Sequence, residues 1–275
     1  MNYLDSFSLK GKVAVVTGAL GILGKHFCHG LAQAGANVVA IDLDKDAVED
    51  FASDLIKQYQ GQEALGLKCD VSSASDVENT FLQIIDKFGA LDILHNNAAA
   101  SKSDEQGEAF FESFEEYSLE EWKRVMSVNL DGMFLVAQAA SKQMIKRGKG
   151  GSIVQTASIY GIMGPDQRIY EGSRYMNRQI NTPAVYSASK GGVVALTRYL
   201  ATYLAPYNIR VNTLTPGGVR SGQNDAFVKA YSNRIPLGSM AEGYEMVGAL
   251  LFLASDASSY VTGQNIIVDG GLNAW

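Results

Sequence analysis

Apolar residues fall into seven short runs: VAVVT (13–17), NVVAID (37–42), EALGLKCD (63–70), LDILHNNA (91–98), GSIVQTAS (151–158), IRVNTLTP (209–216) and QNIIVDGG (264–271). They are short, mostly rich in β-branched residues and bounded by turn formers, which predicts parallel strands buried on both faces. Between them, residues 21–34, 44–59, 72–88, 119–147 and 185–205 carry apolar side chains at helical spacing with few breakers. Such alternation predicts an α/β fold in which a doubly wound parallel sheet of about seven strands carries helices on both faces, as a single domain over 1–275. Two long stretches, 99–118 and 165–183, keep neither period, and a third, 217–240, follows the sixth run. All leave the carboxyl ends of strands, where ligands enter such sheets, so they read as two substrate loops and a lid.

Composition narrows the partner. The chain has 275 residues, 47% of them hydrophobic, with a formal charge of -6 and a pI near 5.1. A nucleic acid or an anionic membrane would want a basic patch, so a small molecule is the expected partner. The opening MNYLDSFSLKGK lacks the pattern of a signal peptide, and no apolar run approaches the ~20 residues that cross a bilayer. Cys28 and Cys69 stand alone, as do His26, His29 and His95, without metal-ligand spacing. No metal site and a cytoplasmic location with reduced thiols are therefore expected.

Candidate chemistry sits at the strand ends. In TGALGILG, Gly18, Gly21 and Gly24 follow the first strand and open a helix, so the backbone around Ile22 and Leu23 is placed to meet a pyrophosphate. The second strand ends at Asp42, where a carboxylate would accept hydrogen bonds from the adenosine ribose and repel a 2′-phosphate, favouring NAD over NADP. The alternative is that Asp42 caps the helix beginning near Asp44. Further along, Asp70 with Val71, NNAA (96–99), SVNLDG around Asn129, TASIYG around Ser158, YSASK (186–190) and PGGVRS (216–221) stand at successive element boundaries. A YxxxK pattern alone is weak evidence, but Tyr186 and Lys190 share a helix face beside the strand that ends at Ser158.

Together these residues resemble the short-chain dehydrogenase/reductases over nearly the whole chain. The resemblance implies a compact, single Rossmann domain, usually a homotetramer or dimer. It implies that Asn129, Ser158, Tyr186 and Lys190 are catalytic. It places Asp70 and Val71 at the adenine, Asn97, Ala98 and Ala99 beside the cofactor with Ala99 in place of a glycine, and Pro216, Gly217, Val219 and Ser221 at the nicotinamide carboxamide. A free tyrosine titrates near 10 and is a poor base, so Lys190 and an oxidised nicotinamide are expected to lower Tyr186. Ser158 would hold the reacting oxygen, and Asn129 would position a water that links Lys190 to solvent.

The stretch PDQRIYEGSRYMNRQINTP (165–183) lies between Ser158 and Tyr186. Its Arg168, Arg174 and Arg178, with Tyr170, suit a substrate carboxylate or phosphate. Equally, these arginines could pair with residues 104–121, which carry eight acidic side chains and no basic one. The aromatic set Phe110, Phe111, Phe114 and Tyr117 either lines the cleft or anchors its own loop. FSLKGKVAVVTG is similar to gluconate 5-dehydrogenase-like members, and PDQRIYEG resembles a loop in members tied to surface-sugar biosynthesis. The expected function is an NAD-dependent oxidoreductase acting on a secondary alcohol or ketone of a polar, anionic, sugar-like substrate in carbohydrate metabolism. A 3-oxoacyl-carrier reductase, or a dinucleotide-binding regulator without turnover, is the alternative.

Overall fold

Every apolar run supplies a strand in the computed structural model, which describes residues 3–100, 107–175 and 178–275, without the side chains of 107, 108, 175 and 178. The strands are β1 (Val13–Thr17), β2 (Asn37–Asp42), β3 (Ala64–Lys68), β4 (Ile93–Asn96), β5 (Gly151–Thr156), β6 (Ile209–Pro216) and β7 (Asn265–Val268). They form one all-parallel sheet in the order β3-β2-β1-β4-β5-β6-β7. The order reverses direction between β1 and β4. That crossing point opens a crevice at the strands' carboxyl ends.

Eight helices connect these strands among the described residues, besides short 3-10 turns and one helical turn at Gly107–Phe110: α1 (Ile22–Gln33), α2 (Lys45–Gln58), α3 (Ala74–Phe88), α4 (Leu119–Met126), α5 (Met133–Arg147), α6 (Ala184–Leu204), α7 (Asp225–Ser232) and α8 (Val247–Ala254). Asp44, Ser73 and Ser118 cap α2, α3 and α4 by accepting a hydrogen bond from the amide of Ala47, Asp76 and Glu121. Asp44, not Asp42, is therefore the cap of α2. The single helix expected over 119–147 is two helices joined by a π-helical turn, Ser127–Gly132. Apolar spacing could not show this, because the same face stays buried on both sides of the turn.

Successive residues of each strand bury into opposite layers. Ala14, Val16, Val38 and Ala40 pack with Phe27 and Leu31 of α1 and Leu250 and Leu253 of α8. Val13, Val15, Val39 and Ile41 pack with Phe81 and Ile84 of α3, Val136 and Met144 of α5, and Ala201 of α6. Such strands read as continuous apolar runs because both faces are covered. A third, smaller core lies beyond the sheet's carboxyl edge, where Ile169, Tyr170 and Ile180 from 165–183 pack against Phe227 and Tyr231 of α7, Ile235 and Met240. The loop and the segment expected as a lid thus share one apolar cluster. Asn224 joins them again, accepting from the Arg174 amide and donating to the Gly172 carbonyl.

His95 on β4 is fully buried against the edge of Phe27, and its Nε2 lies 3.2 Å from Thr156 Oγ1. Burial pushes its pKa down to about 3. Among the described residues no helix is long and apolar enough to cross a membrane, and no group of three or more His, Cys, Asp or Glu side chains is arranged to hold a metal.

Candidate active site

One cleft of about 960 Å³ runs along the carboxyl edge of the sheet, lined from Gly18 and Asp42 at one end to Tyr186 and Met240 at the other. The strand ends make it. Beyond the β4 ladder, the amides of Asn97 and Ala98 both donate to Thr17 Oγ1, and the Asn97 side chain donates to the Thr17 carbonyl. Asn96 turns inward, donating to the Met133 carbonyl and accepting from Thr17 Oγ1. Sequence reasoning passed over Thr17. Its place immediately before Gly18 was the available signal.

The glycines answer to close packing. Gly18 has φ +64°, and a side chain there would meet Ala98 Cα at 2.9 Å. At Gly24 an added Cβ would lie 2.0 Å from the Gly18 carbonyl oxygen and 2.8 Å from Ala19 Cα, both backbone. Gly21 precedes α1 without a capping side chain, so the helix's amino-terminal amides are left for another acceptor near Ile22 and Leu23, which line the cleft. Gly24→Ala should therefore weaken dinucleotide binding by at least roughly tenfold, because the loop must shift to admit one methyl group. A fluorescence titration with the reduced cofactor measures this; an unchanged Kd in a folded variant would show that the loop tolerates the shift.

Asp42 accepts from the Leu20 amide through one carboxylate oxygen and from the Leu43 amide through the other, each at 2.8 Å. It holds the glycine loop against the end of β2 while presenting its charge to the cleft. Asp44 and Asp70 line the same end, and no lysine or arginine does among the described residues. Asp70 is itself oriented by the Ser72 amide and hydroxyl. Val71, Ala98, Ala99, Pro216, Gly217, Val219 and Ser221 also line the cleft. The residues present thus fit a dinucleotide, with helix amides for its phosphates and carboxylates for a ribose.

At the other end Ser158, Tyr186 and Lys190 come together from β5 and α6. Ser158 hydrogen-bonds Tyr186, and the buried Lys190 ammonium donates to the Thr156 carbonyl at 3.0 Å. The expectation that Lys190 lowers the tyrosine needs correction for the protein alone. Burial is the largest influence and raises the Tyr186 pKa, with the Ser158 hydrogen bond offsetting part of it. Burial likewise lowers Lys190 to about 8. Asn129 lies behind the cleft in the π-helical turn, where its Oδ1 accepts from the Ala100 amide at 2.8 Å and its Nδ2 donates to Ser189 Oγ at 3.3 Å. The wider turn rotates this amide between the loop after β4 and helix α6. π-Helical turns often mark such functional positions.

Loop 165–183 differs from expectation. Tyr170 lines the cleft, but neither Arg168 nor Arg174 does. Arg168 is 85% exposed and forms a bidentate pair with Asp166, two residues away, which Arg234 also approaches at 3.3 Å. The pair holds the Asp166 carboxyl down at about 2. Arg168 thus pairs within its own loop, where sequence reasoning had offered a substrate anion or residues 104–121. The Arg178 side chain lies outside the described residues. Loops 99–118 and 165–183 do meet, through the Asn181 amide donating to the carbonyls of Phe111 and Glu112. Phe110 and Phe111 both line the cleft and pack on α4 and α6, whereas Phe114 is exposed, so the aromatic set divides between its two readings. Sequence reasoning missed Thr156, Tyr160, Phe227, Tyr231 and Met240 in the cleft lining.

The family model described as Enoyl-(Acyl carrier protein) reductase matches residues 18–273. The chain is 35% identical to 2-dehydro-3-deoxy-D-gluconate 5-dehydrogenase of Escherichia coli (strain K12), covering 98% of each chain. It is similar to the solved short chain dehydrogenase of Leptospira borgpetersenii serovar Hardjo-bovis (Strain JB197) with bound NAD+, at 33% identity and TM-score 0.83 over 99% of this chain and 96% of that one. It is also similar to the gluconate 5-dehydrogenase of Burkholderia cenocepacia J2315 in complex with NADP and tartrate, at 32% identity and TM-score 0.86 over 99% of both chains. With a family match across the sheet and relatives a third identical over nearly full length, the chain belongs to the short-chain dehydrogenase/reductases, NAD(P)-dependent oxidoreductases of CH–OH groups.

Proposed function

We propose that this protein is an NAD-dependent dehydrogenase or reductase that interconverts a secondary alcohol and a ketone on a hydroxylated, sugar-like compound. The observation that carries this reading is the convergence of Ser158, Tyr186 and Lys190 at one end of a cleft whose other end presents Asp42 beside the glycine loop. Similarity to relatives named for gluconate and for D-arabinitol dehydrogenation supports a hydroxylated, sugar-like substrate class.

The residues divide the work. Bound NAD supplies the hydride acceptor or donor. Tyr186 takes the hydroxyl proton in oxidation and returns it in reduction, Ser158 hydrogen-bonds the reacting oxygen beside it, and Lys190 supplies positive charge behind the phenol. Asn129 is a positioning residue, bracing α6 through Ser189 and the loop after β4 through Ala100. The direction of the Tyr186 shift has a consequence for pH. Because burial holds the phenol protonated, alcohol oxidation by the chain rises with pH, whereas ketone reduction does not need that deprotonation.

Cofactor choice rests on charge. Asp42, Asp44 and Asp70 together disfavour a 2′-phosphate, so NAD is expected to bind at least roughly tenfold more tightly than NADP. Asp42→Asn retains an acceptor oxygen for a loop amide and removes the charge, and should narrow that ratio by about tenfold. Direct titration of both cofactors against both proteins checks this. Equal affinities in the unmodified protein would overturn the assignment of NAD. Turnover of a panel of sugars, polyols and sugar acids followed at the nicotinamide absorbance tests the reaction itself, and a panel inert with both cofactors would overturn it.

A further inference from the structure

We propose that Tyr160 reads a second hydroxyl of an uncharged polyol, and that the substrate end of the cleft selects neutral polyols over sugar acids. This rests on the dehydrogenase reading and sharpens its substrate.

Tyr160 follows the reacting serine by two residues in the 3-10 turn Ile159–Gly161, and its backbone amide donates to Ser158 Oγ at 3.3 Å. The ring is thereby tied to the position of the reacting oxygen. It is only partly buried and lines the cleft. Two buried tyrosines stand behind it. The Tyr160 hydroxyl interacts with those of Tyr170 and Tyr231, and Tyr170 is anchored in turn by a hydrogen bond with Thr182. Tyr170 stacks on Phe227 with ring centroids 5.8 Å apart. Tyr231 is wedged on bare backbone, since a Cβ at Gly218 would lie 2.3 Å from its ring. Burial raises all three phenols, so they remain neutral groups that both donate and accept. Such phenols can accept a hydroxyl's proton as well as donate their own, whereas a carboxylate offers no proton to accept and receives no compensating positive charge from them.

The charges agree. Two cationic side chains line the cleft among the described residues, Lys190 and Arg124. Lys190 donates to the Thr156 carbonyl behind Tyr186, and Arg124 spends Nε and one terminal nitrogen on both carboxylate oxygens of Glu121 at 2.7 Å. Arg168 faces outward onto Asp166. A carboxylate brought against Tyr160 and Phe227 in the cleft would lose hydration among phenol and apolar groups, a large cost. A polyol brings hydroxyls to the phenols and C–H faces to the rings.

The test compares kcat/KM, with NAD, for cyclohexane-1,2-diol, cyclohexanol and 2-hydroxycyclohexanecarboxylate, and for glucitol against gluconate. The unmodified protein should favour each neutral polyol over its carboxylate counterpart by at least about tenfold. Tyr160→Phe should lower the ratio of diol to cyclohexanol turnover by about tenfold, the loss of one positioned hydrogen bond. Tyr231→Phe should lower the same ratio less, because it acts through Tyr160; a purely structural role would lower both substrates together. Equal or better turnover of the carboxylates overturns the proposal, as does an unchanged diol ratio in Tyr160→Phe. If none of these five compounds reacts, this substrate class is lost. Only an inert response across the wider panel of sugars and acids would also remove the dehydrogenase reading.

Discussion

Tyr186→Phe is expected to lower kcat by roughly a thousandfold or more while leaving the Kd for NAD within about twofold. In the proposed mechanism the substrate proton passes through this phenol, and phenylalanine keeps its ring but has no proton to exchange. Removing a general acid–base commonly forfeits ~10²- to 10⁴-fold, and neither Ser158 nor Lys190 readily substitutes. Ser158 touches the tyrosine but is a far weaker base, and Lys190 is turned to the Thr156 carbonyl. Cofactor affinity should survive because Asp42 and the glycine loop stand at the far end of the cleft. Steady-state kinetics on the best substrate, with a parallel cofactor titration, decide the matter. Turnover above a few per cent would mean another residue handles the proton, and a collapse of NAD binding would mean the ring mainly packs the cofactor.

Acid stability should be governed largely by His95. Its folded pKa is depressed from 6.5 to about 3 by complete burial. Above pH 6.5 the imidazole is neutral in both states and costs nothing. As pH falls from 6.5 towards 3 the unfolded chain takes up a proton that the folded chain refuses, so stability is lost across that window. The total is at most about 5 kcal/mol, at ~1.4 kcal/mol per pH unit, a large share of the ~5–15 kcal/mol that holds a typical domain together. No described side chain offers relief, since Nδ1 has no hydrogen-bond partner and Nε2 faces the Thr156 hydroxyl. Denaturant melts between pH 7 and 4.5 should show a decline that His95→Gln reduces by about 3 kcal/mol. Parallel pH curves for the two proteins would show that other groups set the acid limit.

Much of this was legible in the chain. Strands buried on both faces must be apolar at nearly every position, so VAVVT and NVVAID declared themselves without help from their neighbours. Gly18, Gly21 and Gly24 were legible because a loop that admits no Cβ leaves glycine as its residue. Ser158, Tyr186 and Lys190 were legible as a set because a strand end and the next helix face are fixed by local geometry. The carboxyl edge followed from the βαβ alternation, since every parallel strand exits into its connection at that edge.

What tertiary structure decided involves pairs distant in sequence or shifts smaller than a helical turn. The π-helical turn at Asn129 adds one residue to a loop of backbone without altering which face is buried, so apolar spacing was blind to it. Asp42 as a clamp on Leu20, and Thr17 as the acceptor for Asn97 and Ala98, are contacts that only the crossing of β1, β2 and β4 creates. The same holds for charge. Sequence places three arginines between two site residues, but whether a guanidinium faces a cleft depends on the nearest carboxylate, and Asp166 claims Arg168 on the surface. Tyr160, Tyr170 and Tyr231, which line one end of the cleft, come from three separate segments, and their shared hydroxyl contacts arise because α7 packs onto loop 165–183 over the sheet's edge. Sequence alone thus determined the sheet, the glycine loop and the grouping of Ser158, Tyr186 and Lys190, whose constraints are local; folding alone determined the aromatic wall of the cleft around Tyr160, because long-range packing sets both its shape and its charge.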